Sequence, residues 1–179
     1  MLKKILIVVG IVIVCFVAIV AMQPAQFSIS RSATIAAPPA EVFPLVNDFH
    51  RWDAWSPWAK LDPAMKQTYT GSPAGVGAVY SWVGNDQVGE GRMAIVESQP
   101  NERVGIKLDF LKPFAASNDA EFTFKPAGNG VVVNWTMSGR NNFISKAFSL
   151  FMNMDKMIGS DFEKGLSQMK SVAEAATKK

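Results

Sequence analysis

The sequence predicts an α+β domain in which a curved antiparallel sheet wraps a long C-terminal helix, preceded by one transmembrane helix. Residues 5–22 form an unbroken, uncharged and almost wholly apolar run. Short segments rich in apolar residues, separated by Gly, Pro and Asn, fill most of residues 66–138, which is typical of strands joined by turns. Apolar residues then recur at spacings of three and four from Ile144 to Ala173, the pattern of an amphipathic helix.

The apolar run at residues 5–22 follows Lys3 and Lys4 and is long enough to cross a bilayer. As a helix, its 18 residues would span about 27 Å, close to the roughly 30 Å hydrocarbon core. A cleaved signal peptide is the alternative, but its apolar region usually has about 7–15 residues and ends in small residues, which residues 19–24 lack. We therefore expect residues 1–25 to be an uncleaved anchor. The two lysines favour a cytoplasmic N-terminus, with the domain on the extracytoplasmic side.

The charge and cysteine content argue against several classes of protein. The chain has 18 basic and 15 acidic residues, and leaving out Lys3 and Lys4 leaves 16 against 15. Because the folded part has no basic run, we expect no nucleic-acid partner. The single cysteine, Cys15, lies within the apolar run. Neither a disulfide framework nor a cysteine-rich metal site is therefore expected.

The predicted domain, residues 26–176, begins with a strand and a short helix. Residues 27–35 alternate apolar and polar, which is the period of a half-buried strand. A Pro-Pro pair at residues 38–39 ends this strand and suits the first turn of a helix. A second helical turn is predicted near residues 50–54.

A series of strands and the long helix complete the prediction. The candidate strands are residues 66–70, 78–83, 91–98, 103–110, 120–125 and 131–138. The short turns between them favour neighbouring antiparallel strands. Asn141 or Asn142 would cap the last helix, with a break near Asn153 or Gly159. This helix is the element long and apolar enough to cover the apolar face of the sheet.

Several segments are similar to a known superfamily. In chain order they are IAAP at residues 35–38, EVF at 41–43, DFHRWDAWSPW at 48–58, WVGN at 82–85, GEGRM at 89–93, NWTMSG at 134–139, MDKMIG at 154–159 and DFEKGL at 161–166. As a set they resemble the START-like (SRPBCC) superfamily, in its polyketide cyclase/dehydrase branch, over about residues 27–175. The resemblance implies a helix-grip fold with a hydrophobic pocket between the sheet and the terminal helix. It implies no single function, because members bind lipids, hormones and polyketides.

The candidate pocket residues are apolar side chains on the strands and the last helix. They are Tyr80, Trp82, Met93, Phe110, Phe122, Phe124, Val133, Trp135, Met137 and Phe162. Aromatic and Met side chains would give a large and adaptable apolar lining; the alternative is that they simply fill the core. Glu90 and Arg92 lie two residues apart and so face the same way on a strand. They would be either polar groups in the pocket or members of an exposed cross-strand pair.

The sequence offers little material for catalysis, and we expect no catalytic residue set, metal site or cofactor. His50 is the sole histidine, and a surface or capping use is favoured over general base catalysis. Because the single cysteine, Cys15, lies in the apolar run, the predicted domain has no thiol for a Cys–His nucleophilic site. The glycines at residues 71, 75 and 77 do not follow the spacing of a phosphate-binding loop.

Three functional hypotheses follow from the sequence. The first is a membrane-tethered binding or carrier domain for a hydrophobic small molecule or lipid. The second is a polyketide cyclase or dehydratase-like enzyme, in which Glu90, Arg92 or Tyr80 would steer enolate chemistry. The third is a protein-interaction module that uses its surface and holds no ligand. The patterns leave the oligomeric state open.

Overall fold

The computed structural model describes residues 1–177 and contains four α-helices, one 3-10 helix and seven strands in that part of the chain. Their order is α1 (Leu2–Met22), β1 (Gln26–Ile35), α2 (Pro39–Asn47), the 3-10 helix (Phe49–Ala54), β2 (Lys66–Gly71), β3 (Ala78–Val83), β4 (Glu90–Gln99), β5 (Arg103–Lys112), β6 (Ala116–Ala127), β7 (Gly130–Arg140), α3 (Phe143–Ser149) and α4 (Met154–Ala176). The predicted fold class, a curved antiparallel sheet with a long C-terminal helix and an apolar N-terminal helix, is confirmed.

The seven strands form one sheet in the order β1-β7-β6-β5-β4-β3-β2. All neighbours are antiparallel, and β2 to β7 follow one another as their short turns predict. β1 pairs with β7 along its whole length, from Gln26 opposite Arg140 to Ile35 opposite Val131. The β4–β5 pair has two register shifts, at Glu90/Gly91 and Ile95/Glu97. Such bulges bend a strand and increase its twist, which suits a sheet that curves.

The C-terminal apolar stripe is divided between two helices. α3 ends at Ser149 and α4 begins at Met154, so the predicted break lies near Asn153, while Gly159 is inside α4. The Asn142 side chain accepts a hydrogen bond from Ser145 N, and that of Asn153 accepts one from Lys156 N. An asparagine therefore caps each helix, and the second cap starts a new helix.

The core lies between the inward face of the sheet and α4. The buried side of α4 contains Phe162, Leu166, Met169 and Ala173. Gly165 permits a close approach, since a Cβ added there would lie 2.9 Å from Trp135 Cζ3. At the edge of the sheet, Arg31 of β1 forms ion pairs with Asp155 at 3.0 Å and Glu163 at 2.8 Å. α4 is thus held against the sheet by packing along its length and by charge in its first half.

α1 stands apart from this core. Its one buried residue is Val20, and the side chains along the rest of the helix are exposed. Among residues 1–177, α1 is the one helix whose length and composition suit a membrane crossing or a signal anchor. Three residues, Gln23 to Ala25, separate it from β1.

Candidate functional site

The structure places the ten predicted lining residues on one side of the sheet or on the helix that covers it. Their strand positions alternate with exposed or half-buried ones, as the burial pattern of β6 and β7 illustrates. Phe122, Phe124, Val133, Trp135, Met137 and Phe162 are buried, as are Trp82 and Met93, whereas Tyr80 and Phe110 are half-buried. The sequence therefore predicted the inward face. Contact of these residues with a ligand stays a prediction.

An aromatic cluster fills the part of the interior beneath the middle of α4. Trp135 stacks on Phe162 with ring centroids 4.0 Å apart and on Phe122 at 4.8 Å. Trp55 meets Trp135 edge-on at 5.6 Å, and its Nε1 donates to Leu45 O at 2.8 Å. Trp58 meets Trp135 edge-on at 5.8 Å. Trp55 and Trp58 thus close the sheet as a packed loop, and this half of the interior is occupied by side chains.

A second aromatic series crosses the sheet at its β3–β5 side. Tyr80 stacks on Trp82 with centroids 5.7 Å apart, and Trp82 meets Phe110 edge-on at 6.1 Å. The Trp82 Nε1 donates to Val88 O at 3.0 Å. Burial raises the pKa of the Tyr80 phenol well above its ordinary value, with smaller contributions from Tyr69 and Asp53. Tyr80 is therefore a neutral hydroxyl at neutral pH.

Asn118 is the polar residue that the sequence reasoning missed. It lies on β6 in phase with the buried Ala120, Phe122 and Phe124, and it is only 6% exposed. Its cross-strand neighbours are Leu108 and Gly139. The Asn118 side-chain amide makes no hydrogen bond to any of residues 1–177, and its polar atoms keep some access to solvent. A polar side chain in phase with a buried apolar series is the sequence signal that could have found it.

The absence of a side chain at Gly139 leaves the space that the Asn118 side chain occupies. A Cβ at residue 139 would collide with Asn118 Oδ1 and would lie 2.9 Å from Phe27 Cε1. Phe110 faces Ala116 in the register and is thus the diagonal neighbour of Asn118 on the same face. Diagonal neighbours across an antiparallel pair are about 7–8 Å apart, within the length of one small molecule. Asn118 and Phe110 thus mark the interior at the end of the sheet where α3 begins.

A groove of about 650 Å³ opens where strands β3 to β6 begin or end at this side of the molecule. Trp82 and Phe110 of the predicted lining contribute to it, together with Val83 and Leu111. Its volume is within the range of about 300–1,000 Å³ that is typical of small-molecule sites. Two of the ten apolar candidates are thus beside open space.

The predicted polar candidates also line this groove, but on the outward face. Glu90 pairs with Lys112 at 2.7 Å and Arg92 with Asp109 at 3.1 Å. A hydrogen bond from Ser117, at 2.6 Å, lowers the pKa of Asp109, and Arg92 lowers it further. Glu90 and Arg92 therefore belong to exposed cross-strand pairs, the second of their two sequence interpretations. Tyr80 faces inward, so the three side chains proposed for enolate chemistry do not converge.

His50 lies away from the groove. Its Nδ1 is 2.9 Å from Asp48 Oδ1, and its ring stacks on Tyr69 with centroids 4.2 Å apart. Asp48 also accepts from His50 N at the start of the 3-10 helix. The cap is therefore the Asp48 side chain, and His50 itself is exposed, which is the surface use that the sequence favoured. Within the described part of the chain, no three His, Cys, Asp or Glu side chains gather as metal ligands would.

The sheet wrapped on α4, with an apolar interior, defines a helix-grip domain of the START-like class. The chain belongs to the family described as polyketide cyclase/dehydrase and lipid transport, whose model matches residues 26–174. This match confirms the resemblance seen in the sequence motifs. No curated protein sequence matches the chain.

Solved structures with the same fold share little sequence with the chain. The KanY protein (ms6282) has a TM-score of 0.63 at 17% identity over 84% of this chain and 99% of its own. The protein CV1439 from Chromobacterium violaceum has a TM-score of 0.60 at 15% identity over 82% and 96%. The di-domain ARO/CYC StfQ from the steffimycin biosynthetic pathway has a TM-score of 0.62 at 11% identity over 87% of this chain and 53% of its own. These similarities establish the fold alone.

Proposed function

We propose that the chain is a single-pass membrane-anchored domain that binds a hydrophobic small molecule or lipid at the α3 end of its interior. The observation that carries this proposal is Asn118, a residue only 6% exposed whose amide has no hydrogen-bond partner among the described residues, although its polar atoms keep some access to solvent. Complete burial of an amide without a partner costs about 1–3 kcal/mol by protein mutational data, and Asn118 bears part of that cost. A ligand that brings a hydroxyl, carbonyl or carboxyl group to this amide would remove that cost.

The surroundings of Asn118 suit the apolar remainder of such a ligand. Leu108 and Met137 are buried on the inward face, and Phe110 and Trp82 continue this surface into the groove. Apolar surface removed from water contributes about 25 cal/mol per Å². A chain or ring that lies along these side chains would therefore bind through its apolar area, and Asn118 would set the position of its polar end.

The cover over this end of the interior is thinner than elsewhere. α3 has no buried residue, and in the first turns of α4 Met154 and Met157 are exposed. The buried residues of α4 begin at Gly159, which packs against Arg31 at the edge of the sheet, and continue with Phe162. A ligand can therefore enter beneath α3 and the start of α4 without displacing the aromatic cluster around Trp135.

The anchor supports the same function. α1 is joined to β1 by three residues, so the binding end stays beside the bilayer, which is a reservoir of apolar molecules. Tethering raises the effective concentration of such a ligand at the site. Lys3 and Lys4 favour a cytoplasmic N-terminus with the domain on the extracytoplasmic side.

Ligand binding is tested with a chain that lacks residues 1–23. Native mass spectrometry of the purified domain should detect a co-purified lipid, and a fluorescent fatty acyl probe should bind. Asn118→Leu should weaken probe binding about 2- to 10-fold, since one hydrogen bond contributes about 0.5–1.5 kcal/mol. The matched control is Asn134→Leu, because Asn134 lies on the outward face and bonds with Ser30 and Thr136.

Two outcomes would count against the proposal. Absence of both co-purified lipid and probe binding would overturn ligand carriage. If the Asn118→Leu variant bound the probe as tightly as the unaltered domain, Asn118 would not be part of the binding site.

The orientation needs a separate experiment with the full chain. Protease added to intact spheroplasts of an expressing cell should digest the domain, whereas sealed inverted vesicles should protect it. The reverse pattern would place the domain in the cytoplasm.

A further inference from the structure

The largest exposed apolar side chains outside α1 gather on and around α3. Phe151 is 78% exposed, and Phe114, from the β5–β6 connection, lies against Phe148 with ring centroids 6.2 Å apart. We call this surface the α3 patch and define it as Phe114, Phe143, Ile144, Phe148, Phe151 and Met152, all of which are exposed. Contiguous apolar surface of this kind marks an interaction site in a folded protein.

The α3 patch is fixed beside the C-terminal end of α1. Val20 of α1 is 0% exposed, and Lys146 Nζ of α3 donates to Ala21 O at 3.2 Å. Just before α3, Asn141 Nδ2 donates to Pro24 O at 3.1 Å. α3 therefore lies at the level of the last turn of α1.

The length of α1 sets the depth of that level in a membrane. Its 21 residues span about 31 Å, which matches the roughly 30 Å hydrocarbon core. The last turn of α1 is therefore at the boundary between acyl chains and headgroups. Aromatic and aliphatic side chains of an amphipathic helix are stable about 5–10 Å into this boundary. Lys146 can keep its amine among the headgroups while its stem stays apolar.

We propose that the α3 patch docks into the leaflet in which α1 ends, so that the groove end of the domain lies on the bilayer surface. This inference rests on the proposed anchoring by α1. It adds an orientation for the domain: α3 and the start of α4 lie in the interface, and Asn118 and Phe110 lie above them. An apolar ligand then passes between the leaflet and the interior without crossing water.

The test uses the full chain in phosphatidylcholine vesicles, with either ordinary or brominated acyl chains. In a Cys15→Ala background, single cysteines are introduced by Phe151→Cys, Ile13→Cys or Gln168→Cys and labelled with an environment-sensitive fluorophore. Ile13 lies within α1, and Gln168 is exposed on α4. Brominated chains should quench the labels at residues 151 and 13, and the label at residue 168 should keep its fluorescence.

The outcomes separate the docking from the anchor. Quenching at residue 13 without quenching at residue 151 overturns the docking and leaves the anchor in place. Absence of quenching at residue 13 overturns the anchor and the docking together. Equal quenching at residues 151 and 168 also overturns the docking, since the contact would then not be specific to the α3 patch.

Discussion

The two ends of the interior differ in how they are filled. Under the middle of α4, Trp135 stacks on both Phe162 and Phe122, and each of the three is at most 3% exposed. At the α3 end, the inward face holds the unpartnered amide of Asn118, and the helices above it keep apolar side chains such as Phe151 exposed.

Within one core, this contrast assigns stability to the packed end and, under the proposed function, ligand binding to the α3 end. Close-packed aromatic side chains contribute area and edge or stacking contacts, and a ligand would have to displace them. A largely buried polar group without a partner costs free energy, and under the proposed function a ligand supplies that partner. The packed end then holds α4 on the sheet, while the α3 end is the part proposed to exchange a ligand.

Among the substitutions that test this comparison, Trp135→Ala should have the largest effect on stability. Removal of a buried Trp from a packed cluster lowers the free energy of unfolding by about 3–5 kcal/mol. Urea unfolding of the domain measures it, with Trp58→Ala as the matched control because Trp58 is only half-buried. A loss no larger than that of Trp58→Ala would mean that the cluster is loosely packed and available to a ligand.

Asn118→Leu should raise the stability of the domain, whereas Trp135→Ala should lower it. Replacement of this largely buried, unpartnered amide by an apolar side chain of similar size should raise the free energy of unfolding of the ligand-free domain by about 1 kcal/mol, the low end of the cost of an unpaired amide, since its polar atoms keep some access to solvent. Asn134→Leu should lower it, since Asn134 loses its bonds with Ser30 and Thr136. Urea unfolding after delipidation measures both, and a loss of stability in Asn118→Leu would mean that the amide already has a partner.

The sequence predicted the strands well because each carries its own local signal. Polarity patterns and turn residues placed β3 at residues 78–83, as observed, and extended strands such as β6 were located in their central part only. The pairing of β1 with β7 joins segments about a hundred residues apart. No local pattern encodes this contact, and it was not predicted.

The candidate site was harder to predict than the fold. Alternation assigned Trp82 and Phe110 to one face, but the packing of Phe162 on Trp135 depends on how closely α4 approaches at Gly165. Asn118 was missed because the predicted strand began at residue 120, whereas β6 begins at Ala116. Glu90 and Arg92 were left with two interpretations, and their cross-strand partners Lys112 and Asp109 decided between them.

Acid should weaken the attachment of the first turn of α4 to β1. Hydrogen bonds from Arg31 lower the pKa of Asp155 below its ordinary value of about 3.9. The resulting stabilisation is present above that ordinary value and is lost as the pH falls through the lower folded value. The Tm of the unaltered domain should therefore fall more between pH 6 and about pH 3 than that of Arg31→Met. If the Tm of the unaltered domain and that of Arg31→Met fell equally over this pH range, the Arg31–Asp155 ion pair would not contribute to stability.

The smallest effect on stability and binding is expected from a substitution of Arg92, on the outward face of the groove. Arg92 is 57% exposed in its side chain, and exposed ion pairs typically contribute about 0–1 kcal/mol. Arg92→Ala should therefore leave stability within that range and probe affinity unchanged, because Ser117 still holds Asp109. Phe110→Ala is the matched variant, since Phe110 follows Asp109 on β5 and faces the interior, and it should weaken probe binding. If Arg92→Ala weakened binding as much as Phe110→Ala, the polar end of the ligand would lie against the outward ion pairs, and the contrast between the two ends of the interior would no longer locate the site.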